Sequence, residues 1–125
     1  MARQVRVLVV DGDLDALYYV DDLLSELGYY PIKATTADDA ADIIGAVTLD
    51  AIVIDLDLIA TASEAALEQF ARARDHTTVL IMGRTGARPD GAESPLRCFL
   101  EHPPAPDDLA AALERCVAAP VRSAR

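Results

Sequence analysis

Short apolar runs alternate along the chain with segments whose apolar residues fall three and four positions apart. Val7-Leu8-Val9-Val10 runs without a polar break into Asp11-Gly12-Asp13. An unbroken run of this kind reads as a strand buried on both faces, so residues 5–10 are predicted as the first strand. The carboxylates mark where it leaves the core. Asp13 is placed to cap a helix over 14–27 by accepting from first-turn N–H groups. Leu17, Val20, Leu24 and Leu27 form that helix's inner stripe, and Asp21, Asp22 and Glu26 point away from it. Gly28 stands where a left-handed residue closes a helix. Tyr29–Ala34 is a second strand, which Pro31 assigns to a sheet edge or a bulge. Thr36 caps a helix over 37–47 with Ala40, Ile43, Ile44 and Val47 inward, and Gly45 weakens it by about 1 kcal/mol relative to alanine.

The second half repeats the alternation. Ala51-Ile52-Val53-Ile54 runs into Asp55-Leu56-Asp57, a third strand over 51–55 that again delivers acid at its end. Thr61-Ala62-Ser63-Glu64 has the capping-box pattern and predicts a helix to about Arg74, with Leu67, Phe70 and Ala71 inward. Thr78–Met82 is a fourth strand. The stretch from Gly83 to Pro95 is rich in glycine and proline and predicts a loop with at most one helical turn. Leu96–Leu100 is a fifth strand, and a last helix covers 107–118 with Leu109, Leu113, Cys116 and Val117 inward. Strands alternating with helices imply right-handed βαβ units. The expected fold is therefore α/β: a flavodoxin-like (βα)5 three-layer sandwich. Its parallel sheet has the order 2-1-3-4-5, and the helix between strands four and five is short or missing. One domain over 1–125 is expected, with 119–125 as a flexible tail.

Composition narrows the partners. The chain has 125 residues and a formal charge of −10, which argues against nucleic acid and anionic membrane and favours a cation or a basic protein surface. Apolar residues make up 52%, with no run near the ~18 residues that span a membrane. Asp11 and Asp13 interrupt the only apolar run near the start, so no signal peptide is expected and the location reads as cytoplasmic. Cys98 and Cys116 are too few for a disulfide framework and read as buried thiols.

In the 2-1-3 strand order Asp11 and Asp55 become neighbours at the carboxyl edge of the sheet, where such folds hold ligands. Crowded carboxylates need a cation, and hard oxygen donors suit Mg²⁺. With these residues the chain resembles the CheY-like receiver domains of two-component response regulators. The resemblance spans nearly the whole chain and rests on Val9-Val10-Asp11, Ile52-Val53-Ile54-Asp55 and Phe99-Leu100-Glu101-His102-Pro103. It implies that Asp55 is the phosphoacceptor, taking a phosphoryl group from a histidine kinase or phosphotransfer protein. It also implies a metal held by Asp11 and Asp55, and Phe99 as a switch aromatic.

Several positions depart from the family. The second acid, a direct metal ligand in receivers, is matched by Gly12, and Asp13 reaches the metal only if the turn slips by one residue. The hydroxyl residue that contacts phosphate is matched by Gly83. The lysine before a proline is matched by His102, an imidazole whose charge depends on pH. The proline and glycine usual after the acceptor are replaced by Leu58-Ile59-Ala60-Thr61-Ala62. These departures predict an atypical receiver and not an enzyme; with no room for an output domain in 125 residues, it is expected to stand alone. Mg²⁺ would be held weakly, phosphorylation would be weak or absent, and output would run by protein–protein contact. Tyr18 and Tyr19 are candidate contact residues, and a monomer or weak homodimer is expected. Two other readings compete. Asp11-Gly12-Asp13 resembles the Asp-x-Asp motif of haloacid-dehalogenase-type phosphatases, with Asp11 as nucleophile and Asp13 as acid/base. A flavin binder would need a phosphate loop after the first strand, where these acids would repel phosphate.

Overall fold

The computed structural model describes residues 4–83 and 97–117. Strand and helix alternate in the order β1 (Arg6–Val10), α1 (Leu14–Glu26), β2 (Tyr30–Ala34), α2 (Ala37–Ala46), β3 (Ala51–Asp55), α3 (Leu56–Ala60), α4 (Glu64–Ala73), β4 (Thr78–Gly83), β5 (Arg97–Glu101) and α5 (Pro106–Val117). The strands form one parallel sheet in the order β2-β1-β3-β4-β5. This is the flavodoxin-like arrangement expected from the sequence. Pro31 sits on the edge strand β2, where a missing ladder donor is tolerated. The breaker-rich stretch beyond Gly83, the terminal tail and the side chains of Cys98, Phe99, Cys116 and Val117 lie outside the described residues.

Successive side chains of a strand face opposite ways, and β1 and β3 use both faces for burial. Val7, Val9, Ala51 and Val53 pack with Leu17, Val20 and Leu24 of α1 and with Leu109 and Leu113 of α5. Leu8, Val10, Ile52 and Ile54 pack with Ala37, Ala40 and Ala41 of α2 and with Ala66, Phe70 and Ala73 of α4. Helices therefore cover both faces, and the unbroken apolar runs of the central strands follow from that double burial.

Local corrections fall at the helix ends. Leu27 is not inward: it is the C-cap of α1 and 44% exposed. Gly28 follows at φ 91, the left-handed conformation that a side chain would strain. The predicted capping box is displaced. Residues 56–62 contain neither glycine nor proline, so the chain continues from β3 into the short helix α3, whose Leu56, Leu58 and Ile59 pack on the α2/α4 core. Thr61 closes that helix, its N–H donating to the Leu58 carbonyl. Ser63 instead caps α4, accepting from Ala66 N–H at 3.1 Å. The inner stripe of α4 shifts with the cap to Ala66, Phe70 and Ala73, which leaves Leu67 and Ala71 exposed.

Candidate functional site

Parallel register brings the site together. Val10 pairs with Ile54 across β1 and β3, so the next residues, Asp11 and Asp55, emerge side by side at the carboxyl edge. Asp55 pairs in turn with Met82 of β4, and Gly83 beyond it with Glu101 of β5. His102 follows, held by its N–H donating to the Gly83 carbonyl at 2.9 Å and preceding the cis-proline Pro103. The His102 imidazole reaches Asp11, although β3 and β4 separate their strands: Nε2 lies 2.7 Å from Asp11 Oδ2.

Asp11 is wholly buried. Such a carboxylate needs hydrogen-bond partners for both oxygens. Its Oδ2 faces His102, and its Oδ1 accepts from Asp13 N–H at 2.9 Å. Asp55 is half-buried and caps α3, its Oδ1 accepting from Asp57 N–H at 3.2 Å. Burial raises the Asp55 carboxyl above the ordinary carboxylate range, and the charges of Asp11 and Asp57 add to the rise. The Asp57 N–H bond and the nearby His102 offset part of it. Asp11, Asp55 and His102 each place one ligand atom within 4.8 Å of the others, a group that can hold a metal ion.

Asp13 stands outside this group. Its carboxylate caps α1, accepting from Asp15 N–H at 3.0 Å and Ala16 N–H at 3.4 Å. Gly12 and Gly83 bring no side chain to the site. A Cβ at Gly12 would meet Leu58 Cδ2 and the Thr35 carbonyl, both at 3.8 Å, so α3 lays an apolar side chain beside Gly12. Sequence reasoning missed that neighbour because it placed no helix over 56–60. It also missed the Asp11–His102 contact, which links residues 91 positions apart. The motif resemblance set both residues at strand ends but gave no distance between them. Of the two candidate contact tyrosines, Tyr18 is 54% exposed. Tyr19 is instead tied down, its hydroxyl donating to the Pro104 carbonyl at 2.8 Å.

The fold is that of response-regulator receiver domains. The signal receiver domain of an HD domain-containing protein from Pseudomonas fluorescens superposes with a TM-score of 0.74 at 22% identity, covering 93% of this chain and 96% of that one. A CheY-like receiver domain from Methylobacillus flagellatus gives 0.75 at 19% identity, covering 91% and 99%. A response-regulator receiver domain from Saccharomyces cerevisiae, crystallised with a histidine phosphotransfer signalling protein, gives 0.76 at 14% identity, covering 94% and 92%. No family model and no curated protein matches the sequence. Among the described residues, no helix is long and apolar enough to cross a membrane.

Proposed function

We propose that the chain is an atypical receiver domain in two-component or phosphorelay signalling, with Asp55 at the phosphoacceptor position. The reading is carried by Asp11 and Asp55 standing together at the carboxyl edge of a receiver-type sheet. The acceptor chemistry is nucleophilic: an Asp55 carboxylate oxygen bonds to phosphorus, and the donor's bond to that phosphorus breaks. Two carboxylates match the one or two that Mg²⁺ takes from a protein, and a bound Mg²⁺ would neutralise charge between acceptor and phosphoryl oxygens. The third side chain is an imidazole nitrogen, Gly12 adds no oxygen and Gly83 no hydroxyl, so the site is poorly equipped to stabilise the transferring group. We therefore assign Mg²⁺ a weak hold and phosphorylation a minor role, with output by contact with a histidine kinase, phosphotransfer protein or other signalling protein. Leu14 and Tyr18, one turn apart on α1 and 55% and 54% exposed, begin that contact surface beside the site.

Incubation with acetyl phosphate and Mg²⁺, followed by intact-mass measurement, tests this. The native chain should gain little or no phosphoryl mass, and any gain should vanish in Asp55→Asn. Rapid, stoichiometric labelling of the native chain would overturn the atypical assignment. Steady turnover of a phosphomonoester, lost in Asp11→Asn, would favour the phosphatase instead. That chemistry needs the Asp13 carboxylate beside Asp11, whereas Asp13 is engaged as the α1 cap.

A further inference from the structure

We infer that an apolar pocket beside α4 binds small aromatic carboxylates, taking one ring between α3, α4 and β4 and the carboxylate at Arg74. The pocket is separate from the candidate phosphoacceptor site. Asp11, Asp55 and His102 do not line it, and the inference does not rest on phosphoryl transfer. Val79 and Ile81 of β4 line it from the sheet, on the side that α2 and α4 cover. Ile59 of α3 and Leu67 and Phe70 of α4 line it from the helices. Its volume is about 170 Å³. A cavity of about 150 Å³ lined by leucine, isoleucine and phenylalanine takes in one benzene ring. Pockets for larger organic ligands run to about 300–1,000 Å³, so a nucleotide or a flavin exceeds this one.

Arg74 supplies the charge. Among the described residues it is the only charged one that lines the pocket. It lies two turns from Leu67 on the same face of α4, so a half-exposed apolar side chain and a cation stand on one side of the helix. Among the described residues, Nε of Arg74 is the one buried side-chain nitrogen or oxygen without a hydrogen-bond partner. A buried N–H left unpaired has lost its hydration with nothing in exchange. The recorded ion pairs join Lys33 to Asp21 and His102 to Asp11, and neither involves this guanidinium. A carboxylate answers that deficit: its two oxygens match the guanidinium fork, with one of the two parallel bonds made by Nε. It also sets one negative charge against one positive. A phosphate monoester brings nearly two, and the excess would face hydrocarbon. A neutral ring would fill the pocket and leave Nε unpaired.

The test titrates the full chain with phenylacetate, its neutral isostere phenylacetamide, and acetate. Backbone amide shifts of residues 67–74 and 79–81 locate the binding. Phenylacetate should bind at one site with a dissociation constant of about 1 mM or lower. Phenylacetamide and acetate should each bind about tenfold or more weakly, since one lacks the charge and the other the ring. Arg74→Gln should weaken phenylacetate about tenfold, to the level of the amide, and leave the amide nearly unchanged. Arg72→Gln, the same change outside this pocket, should alter nothing. Leu67→Ala gives a second variant should Arg74→Gln not fold, and it should weaken acid and amide alike by removing a shared wall. No phenylacetate binding up to about 10 mM, equal affinity for acid and amide, or binding unchanged in the folded Arg74→Gln chain would overturn the inference. Asp55→Asn should bind phenylacetate as the native chain does, so this reading and the acetyl phosphate experiment fail separately.

Discussion

Gly12 stands next to Asp11 and brings no side chain to the candidate site. Its backbone does not require glycine: among the described residues only Gly28 has a positive φ. A Cβ there meets nothing closer than 3.8 Å. Gly12→Asp should therefore fold normally and add a third carboxylate beside Asp11 and Asp55. We expect Mg²⁺ affinity to rise about tenfold, read by calorimetry, because ligand charge count tunes such sites. Unchanged affinity in the folded variant would show that position 12 does not address the cluster. Asp55 gives a second residue-scale prediction. Its carboxyl is raised by burial and by Asp11, so the folded chain binds this proton more tightly than the unfolded chain does. The associated stability is complete below the unfolded value of 3.8 and is lost as pH rises through the higher folded value. Asparagine carries no such loss. Asp55→Asn should melt above the native chain at pH 7, and the gap should close as pH falls below about 4. A gap independent of pH would assign the difference to packing.

At the scale of elements, the sequence was most legible where one signal acted alone. Asp13 and Thr36 cap their helices as read, each side chain accepting from first-turn N–H groups. The stretch after β3 offered two signals. Thr61 and Ser63 both suit an N-cap, and the choice depends on whether 56–60 is helical. Packing of the partly buried Leu56, Leu58 and Ile59 against the tertiary core settles that, and local pattern does not report it. The consequence is measurable in urea. Ser63→Ala should cost about 1 kcal/mol, since it leaves the Ala66 N–H without its cap. Phe70→Ala should cost about 3–5 kcal/mol. Leu67→Ala should stay within about 0.5 kcal/mol, because Leu67 is 40% exposed. A large loss at Leu67 would restore the stripe predicted from sequence.

For the whole molecule, alternation of facing along β1 and β3 matters more than any single element. It divides the apolar residues between two helical layers, and both layers share the same strands. Sheet order and strand polarity were readable because they follow from alternation and crossover handedness. The distances across the site were not, because they depend on how far the chain beyond β5 turns back toward β1. A shared sheet also implies shared cooperativity. Leu8 packs toward α2 and α4, Leu113 belongs to the layer of α1 and α5, and both are fully buried. Leu8→Ala and Leu113→Ala should each remove about 2–5 kcal/mol. A typical total is about 5–15 kcal/mol, so neither layer has the margin to persist without the other. Each variant should lower the urea midpoint at an unchanged slope, with circular dichroism and tyrosine fluorescence falling together. If the two signals separate in Leu113→Ala, the layers melt independently and the chain is not one cooperative domain.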